Sequence, residues 1–286
     1  MSRKLYICST VYQLVVAVHI KMTIHSKSDA DIILTDEMPN VSTIAAKLNS
    51  KKIFMSIVVV HGKESAYIMK TVAIVPMKLN NRRLPQKNTK SFTNGKPLCH
   101  YILSTLLTVE GVDEVYVYCS NPDIREFIPA SVKFLQRSTS LDQDTTKMNE
   151  VLHCFANEVP ADIYVMTHTT APFIKKESIQ KGLEAVKSGE YDSSFAAKKL
   201  QDFLWKDGKP FNYELNNIPR TQDLPALYEE TSGFYIYRNT VMTELNRRIG
   251  DKPYIVEVGE IESVDIDEAE DFMIADAIYN YELQKK

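Results

Sequence analysis

The sequence predicts an α/β fold with a mostly parallel sheet that is covered by helices on both faces. Short runs of β-branched and aromatic residues alternate with amphipathic segments along most of the 286 residues. This alternation is typical of repeated β-α-β units. Hydrophobic residues make up 44% of the chain, which is enough for a large core without disulfides or structural metals. Such sheets bind ligands outside the carboxyl ends of their strands, so the loops there are the first candidates for function.

Residues 1–65 predict a small βαβα extension. A parallel sheet of this size leaves edges and faces uncovered, so it should dock on another structure. Two organisations stay open: a short fragment fused to a complete enzyme domain that begins near Met69, or one continuous domain with extra strands. A turn is expected at His61-Gly62. The alternating segments, beginning with a strand, are 5–8, 11–25, 31–34, 41–48 and 53–60.

Residues 69–286 continue the alternation and predict the main domain. Strands are expected at 72–75, 115–119, 132–135, 163–166 and 193–197, and helices at 97–107, 145–157 and 177–186. Pro210, Pro219 and Pro225 lie among polar and aromatic residues and interrupt this rhythm. We therefore expect residues 207–235 to form an excursion from the sheet, as a lid, a substrate loop or a dimer arm.

The composition disfavours several classes of function. The 34 basic and 37 acidic residues give a net charge of −3, which argues against broad nucleic-acid binding. Residues 5–20 are apolar but interrupted, and they are shorter than the roughly 20 residues of a spanning helix, so no membrane insertion is expected. The four cysteines form no C-x-x-C pair, which disfavours structural zinc and fits a reducing cytoplasm. Motifs of serine hydrolases, zincins, dinucleotide-binding proteins and P-loop enzymes are absent from the sequence.

The most informative stretch is the loop after the first strand of the main domain. Residues 71–98 contain no acidic residue, although the whole chain is slightly acidic. Clustered cations and amide donors at the carboxyl end of a strand favour a site for a polyanion such as a nucleoside triphosphate. A solvated surface loop, the alternative, usually mixes signs. The candidate groups are Lys78, Arg82, Arg83, Lys87 and Lys90, with Asn80, Asn81 and Asn88 as neutral donors.

A pair of aspartates near the end of the sequence is the candidate metal site. If residues 263–267 form a strand, Asp265 and Asp267 point to the same face and can converge on one cation. Magnesium prefers a few carboxylates together with water and substrate phosphates. An alternative stays open, because Asp267 with Glu270 also matches a helix-capping pattern, and both roles can coexist.

Two further loops carry groups that suit a sugar acid. Residues 167–172 follow a strand and offer hydroxyl groups and the imidazole of His168, which can bind a sugar or a ribose, although such a turn needs no ligand. Arg220 lies between two prolines, where a guanidinium can bind a carboxylate through two hydrogen bonds. An ordinary surface loop is the alternative interpretation there.

Taken in order, these segments resemble the acylneuraminate cytidylyltransferase family, which makes CMP-activated sugar acids. The resemblance covers residues 70–280. The family's phosphate loop reads R-x-x-S-K-x-x-x-K-N; here Lys78, Asn81 and Arg82 stand at its Arg, Ser and Lys positions, and the final Lys87-Asn88 is unchanged but follows after one additional residue. The other matching segments are G-K-P-L at 95–98, Q-R at 136–137, D-T at 144–145, T-A-P at 170–172, P-R-x-x-x-x-P at 219–225, S-G-F-Y-I at 232–236 and D-I-D at 265–267.

The resemblance implies a Rossmann-like nucleotidyltransferase fold and a magnesium-dependent reaction. The anomeric hydroxyl of a sialic-acid-like or related keto-sugar acid would attack the α-phosphorus of CTP and release pyrophosphate. A homodimer is also implied, with the excursion as its arm. The implied catalytic residues are Lys78, Arg82, Lys87 and Asp265, and the implied metal ligands are Asp265 and Asp267. The implied nucleotide contacts are Lys78, Asn80, Asn81, Arg82, Lys87, Asn88 and Arg137, and the implied sugar-acid contacts are His168, Thr170, Arg220 and Gln222.

This chain departs from the family pattern at the expected site, with Lys78 for Arg, Asn81 for Ser, His168 for Gln and Ser232 for Asn. The changes keep charge and hydrogen-bonding capacity at the phosphate loop, which favours a working variant. Two other interpretations stay open: a non-catalytic nucleotide-binding homologue that docks on a surface-polysaccharide enzyme, and a nucleotidyltransferase for another base or acceptor. Residues 1–60 lie outside the resemblance; K-L-Y-I-C-S-T-V-Y-Q-L weakly resembles the start of bacterial sialyltransferases or polysialyltransferases, without their catalytic part.

Overall fold

A small parallel sheet and a separate, mostly parallel sheet organise the computed structural model, which describes residues 4–8, 11–25, 30–35, 40–60 and 69–284. The chain divides into one unit of residues 1–68 and a second unit of residues 69–286. The first sheet belongs to the smaller unit and the second to the larger one.

The described part of the smaller unit contains three parallel strands with β2 in the centre: β1 (Lys4–Cys8), β2 (Ala30–Thr35) and β3 (Ser56–Val60). The helices α1 (Val11–Thr23) and α2 (Val41–Lys51) lie between them in sequence. This order agrees with the predicted extension. The turn expected at residues 61–62 lies outside the described residues. A glycosyltransferase-like origin for this unit stays a prediction.

Along the larger unit the described strands are β4 (Thr71–Met77), β5 (Glu114–Cys119), β6 (Lys133–Gln136), β7 (Ile163–Thr167), β8 (Ser193–Leu200), β9 (Trp205–Lys206), β10 (Lys209–Pro210), β11 (Leu227–Arg238) and β12 (Pro253–Val258). Strands β9 and β10 form a separate hairpin. The other seven form the main sheet in the order β12-β8-β11-β7-β4-β5-β6. Within it, β11 is antiparallel to its neighbours β7 and β8 and the remaining pairs are parallel. The mostly parallel sheet is therefore confirmed.

Helices cover both faces of this sheet. Successive side chains of a strand point to opposite faces, so one strand contributes to two core clusters. In the fully buried strand β4, Ala73 and Val75 pack in one core cluster and Val72 and Ile74 in another. The helices of the larger unit are α3 (Leu98–Leu106), α4 (Met148–Glu158), α5 (Lys176–Lys187), α6 (Asn239–Leu245) and α7 (Ala269–Gln284). Helices α3 and α5 contribute to the first cluster, and α4 and α6 to the second.

The excursion from the sheet is shorter than the predicted 207–235. Residues 227–235 belong to β11, where Ile236 pairs with Val165 of β7 and with Ser194 of β8. Strand β11 is long and antiparallel, and it does not follow the β-α-β pattern of the other strands. Because prolines precede it, the sequence pattern assigns its first residues to the excursion. The register of β11 against β8 shifts between Glu230 and Tyr235, which marks a bulge close to the sheet edge described below.

The four cysteines all lie within described residues and are free thiols. Cys8, Cys99 and Cys119 are buried, and burial raises the pKa of the Cys99 thiol to about 12. Such thiols are core residues rather than nucleophiles. Among the described residues, no helix has the length and apolar character needed to cross a bilayer.

Candidate active site

The candidate loops meet at one edge of the main sheet. Lys78 directly follows β4 and His168 directly follows β7, and these two strands are parallel neighbours. The segment before α7 reaches the same edge, because the N–H group of Ile266 donates to the carbonyl oxygen of Thr170 over 2.9 Å. This edge is formed by the carboxyl ends of parallel strands, where such sheets bind ligands.

A cleft of about 300 Å³ opens within the loop after β4. Four cations and one carboxylate line it, so its net charge is positive. The carboxylate belongs to Asp144, which forms ion pairs with Lys78 at 3.6 Å and Arg82 at 2.5 Å. The lining residues are Lys78, Asn81, Arg82, Arg83, Leu84, Lys87 and Asp144. Both the size and the charge suit the phosphates of a nucleotide.

Three other candidates of the loop differ in their environment. The amide oxygen of Asn81 is buried and has no hydrogen-bond partner among the described residues, so it is ready to accept from a ligand. Asn80 is exposed and does not line the cleft. The ammonium group of Lys90 lies 4.9 Å from the centre of the Phe272 ring and also does not line the cleft.

Lys87 and Asn88 anchor the loop from within, and both are buried. The ammonium group of Lys87 donates to the carbonyl oxygen of Ile266 over 2.8 Å and to Oδ1 of Asp267 over 3.2 Å. The Asn88 amide donates to the carbonyl oxygen of Lys78 over 2.7 Å and accepts from the hydroxyl of Thr169. Because both ends of this amide are used, Asn88 joins two loops and has less capacity left for a ligand.

The two aspartates come from an extended loop before α7 and not from the expected strand. The loop is nevertheless extended enough that buried Ile266 alternates with the partly exposed Asp265 and Asp267. The helix-capping interpretation of Asp267 is wrong, because Asp271 accepts the N–H groups of Asp267 and Glu268 at 2.9 and 2.8 Å. This leaves the Asp267 carboxylate available to the cations of the phosphate loop.

Each aspartate has a distinct electrostatic setting. Oδ1 of Asp267 accepts from Arg83 over 2.8 Å as well as from Lys87. Burial alone would raise the pKa of Asp267, but these hydrogen bonds and charges lower it below its ordinary value. Oδ2 of Asp265 accepts from the hydroxyl of Ser232 over 2.9 Å, whereas its Oδ1 is buried without a partner among the described residues.

This donor set fits a magnesium ion. The described residues contain no group of three or more His, Cys, Asp or Glu side chains placed to hold a metal. A hard cation that takes one or two carboxylates and completes its shell with water and phosphate oxygens needs no such group. The unpartnered Oδ1 of Asp265 is the ligand atom that the structure offers most directly.

A second cavity, of about 150 Å³, adjoins the first, since Lys78 lines both. Arg137 contributes a buried guanidinium that donates to Oδ1 of Asp142 over 2.7 Å. Its Nε is buried without a partner among the described residues. The apolar part of the wall consists of Pro76, Met77, Leu141, Met148 and Val151. Apolar walls with one unsatisfied donor suit a planar base that carries a carbonyl oxygen.

His168 is partly buried at the same edge. Burial first and the positive charge of Arg248 second lower its pKa to about 4, with smaller opposing effects of Asp265 and Asp267. The imidazole is therefore neutral near pH 7. Arg248 is a residue of this site that sequence reasoning missed, and the only sequence signal for it is the basic pair Arg247-Arg248.

No hydrogen bond or ion pair among residues 69–284 joins Arg220 or Gln222 to His168. Both are exposed, on the loop between β10 and β11. The guanidinium of Arg220 pairs with both carboxylate oxygens of Asp223, at 2.8 and 3.0 Å. Within residues 69–284, no hydrogen bond or ion pair joins either side chain to the aspartate pair. Their role in binding a sugar acid stays a prediction.

Comparison with known proteins identifies the family of this chain. The family model described as Cytidylyltransferase matches residues 72–278. The N-acylneuraminate cytidylyltransferase of Streptococcus agalactiae serotype V is 21% identical over 231 residues, which are 76% of this chain and 56% of that protein. The pseudaminic acid cytidylyltransferase of Campylobacter jejuni is 23% identical over 184 residues, 58% of this chain and 78% of that protein. The chain thus spans little more than half the length of the streptococcal relative.

Solved structures resemble the fold of the larger unit. A CMP:2-keto-3-deoxy-manno-octonic acid synthetase complexed with CTP superimposes with a TM-score of 0.59 at 19% identity, covering 74% of this chain and 99% of the other. The 4-diphosphocytidyl-2C-methyl-D-erythritol synthase of Anaerococcus prevotii gives a TM-score of 0.53 at 15% identity, covering 74% and 97%. At these identities the likeness establishes the fold alone.

Proposed function

Because this chain belongs to the cytidylyltransferase family, we propose that it transfers CMP from CTP to the anomeric hydroxyl of a sialic-acid-like or related keto-sugar acid and releases pyrophosphate. The observation that carries the proposal is the cleft after β4, in which four cations lie beside one carboxylate and Lys87 reaches the aspartate pair. The sugar-acid relatives of the chain support the acceptor class.

Phosphoryl transfer of this kind depends mainly on positioning and charge stabilisation. Lys78, Arg82 and Arg83 line the cleft. They would bind the β- and γ-phosphates and stabilise the charge of the pyrophosphate leaving group. Lys87 is buried and held at two points, so it is already oriented before the substrate binds. When CTP enters, its phosphates would replace Asp144 as the partner of Lys78 and Arg82.

Asp265 and Asp267 would hold magnesium. Bound there, the ion would supply positive charge to the phosphoryl oxygens of CTP. Asp265 has a free buried oxygen for this purpose, and Ser232 orients the carboxylate through its other oxygen. Asp267 shares its charge with Lys87 and Arg83, which links the metal site to the phosphate cleft.

The base and the sugar acid would both lie beside the phosphate cleft. Arg137 and the apolar wall around it suit the cytosine ring. His168 and Thr170 lie on the loop after β7, where the acceptor would bind. Since His168 is neutral at physiological pH, it would act as a hydrogen-bonding group for a hydroxyl rather than as a charged acid.

We also propose that the protein forms a homodimer through the excursion and works in the cytoplasm. Phe211, Leu215 and Ile218 of the excursion are each more than half exposed, which favours an interface there. Sedimentation of the purified protein measures the dimer directly; a monomer at micromolar concentration would contradict it.

Pyrophosphate release measured with CTP, magnesium and a panel of sugar acids tests the reaction. We expect turnover with at least one nine-carbon or eight-carbon keto-sugar acid and a preference for CTP over UTP, GTP and ATP. Well-folded protein that binds CTP in calorimetry but turns over none of the acids would overturn the proposal in favour of a nucleotide-binding homologue.

A further inference from the structure

A third, strongly basic cavity lies beside the nucleotide site. It has a volume of about 330 Å³ and three cationic lining residues, with no acidic residue in its described lining: Lys147, Met148, Asn149, Arg247, Arg248 and Ile249. Lys147 precedes the first turn of α4, and Arg248 follows α6. This places the cavity where two helices on the same face of the sheet reach its carboxyl edge.

This basic cavity adjoins the Arg137 cavity, which in turn adjoins the phosphate cleft. Met148 lines both this cavity and the Arg137 cavity, and Lys78 lines both the Arg137 cavity and the phosphate cleft. Arg248 also lies near the acceptor loop, because its guanidinium contacts the Tyr235 ring and Tyr235 pairs with Met166, two residues before His168. An anionic group of the acceptor can therefore lie here while the triphosphate occupies the first cleft.

The guanidinium of Arg248 is fixed but not saturated. It lies 3.8 Å from the centre of the Tyr235 ring, and one of its nitrogens donates to Glu230 over a long 3.3 Å. Its Nε and other terminal nitrogen have no hydrogen-bond partner among the described residues. A guanidinium held by stacking with donors to spare suits a planar carboxylate. Arg220, in contrast, already uses two nitrogens on Asp223.

We propose that Arg248, assisted by Lys147, binds the carboxylate of the sugar acid and thereby selects an acidic acceptor. The inference rests on the proposed function and names the group that recognises its substrate. Arg247 contributes less, because it pairs with Asp251 over 2.6 Å. The selectivity for an acid would then arise within one chain and would not require the Arg220 loop.

The test compares Arg248→Gln, Arg248→Lys and Arg220→Gln in steady-state pyrophosphate release with the best sugar acid and with its uncharged primary amide. Arg125→Gln is the matched control, since its guanidinium also lies on an aromatic ring, 4.4 Å from the centre of Phe134. We expect Arg248→Gln to raise KM for the acid about 10- to 100-fold with KM for CTP unchanged. Arg248→Lys should give an intermediate KM for the acid, because lysine keeps the positive charge but lacks the paired planar donors of the guanidinium.

The acid-over-amide preference separates recognition from mere packing. The wild-type enzyme should prefer the acid, and Arg248→Gln should lose that preference. A wild-type KM for the acid in Arg248→Gln, a retained preference, or the same loss in Arg220→Gln instead would each overturn the inference. If Arg248→Gln fails to fold because Glu230 loses its charged partner and keeps only the hydrogen bond from the Tyr235 hydroxyl, the double variant with Glu230→Gln carries the test. Wild-type protein that turns over no acid would instead overturn the proposed function itself, and this inference with it.

Discussion

The buried ammonium group of Lys87 lies 3.2 Å from the carboxylate of Asp267, although 180 positions separate the two residues. The same ammonium donates to the carbonyl oxygen of Ile266, so it joins the end of β4 to the segment before α7. This contact brings the phosphate cleft and the aspartate pair into one site. A buried charge with one partial ion pair is costly to leave unpaired, which makes Lys87 sensitive to substitution.

Replacing Lys87 by Gln should lower kcat/KM about 100-fold or more, because the buried donor is oriented before the transition state forms. The variant should also lose stability, since Asp267 is left with Arg83 alone. Lys90→Gln is the matched control in the same loop, as Lys90 contacts the Phe272 ring outside the cleft. Equal activities of the two variants in pyrophosphate release would remove Lys87 from the phosphate site.

Replacing Asp265 by Asn should raise the magnesium concentration needed for half-maximal activity at least 10- to 100-fold, because even groups that only orient a metal ligand have effects of that size. The shape is kept, and Ser232 can still donate to the new amide oxygen. Activity should vanish with EDTA and return with magnesium in the wild-type enzyme.

Asp276→Asn serves as the control for Asp265. The Asp276 carboxylate accepts from the N–H group of Thr93, and neither residue is a candidate site residue. A magnesium titration of Asp265→Asn that overlays the wild-type curve would contradict the assignment of this carboxylate to the metal.

Replacing Asn88 by Ala should lower the free energy of unfolding by about 1–3 kcal/mol, because the carbonyl oxygen of Lys78 and the hydroxyl of Thr169 lose their partner in a buried place. Asn80→Ala, a change of the same type on an exposed residue of the loop, should leave the stability unchanged. Chemical denaturation measures both. A selective loss of CTP affinity with normal stability in Asn88→Ala would identify Asn88 as a ligand-binding group instead.

The stability of the wild-type protein should fall as the pH is lowered from about 6.5 to about 4, in part because of His168. Its pKa is about 4 in the folded state and about 6.5 when unfolded. Between these values the unfolded chain binds the extra proton, so the neutral folded form is fully favoured only above pH 6.5. The contribution of this one group is at most about 3 kcal/mol.

Replacing His168 by Gln should flatten this part of the pH profile of Tm and leave the profile below pH 4 parallel to that of the wild type. His19→Gln, at an exposed position, should keep the wild-type slope. An unchanged slope in His168→Gln would mean that His168 is not held neutral in the folded protein.

Local pattern was sufficient to predict the elements that pack on both sides. The fully buried strand β4 appears as an uninterrupted apolar run because both of its faces meet helices. Charge segregation was likewise sufficient for the phosphate loop, since five cations without an anion are visible in the sequence. Strand β11 was only partly predictable, because its antiparallel return between β7 and β8 depends on pairing partners far away in sequence.

The sequence by itself determined the α/β class, the mostly parallel sheet, the basic loop and the D-I-D pair, because these depend on periodicity, charge and spacing over a few residues. Only the tertiary structure decided how they combine. It paired Lys87 with Asp267, made Asp271 the acceptor of the N–H groups before α7, and placed Arg248 on the Tyr235 ring while Arg220 paired with Asp223. These are contacts between side chains brought together by strand order and loop closure, and no local pattern encodes which distant charge will be the nearest.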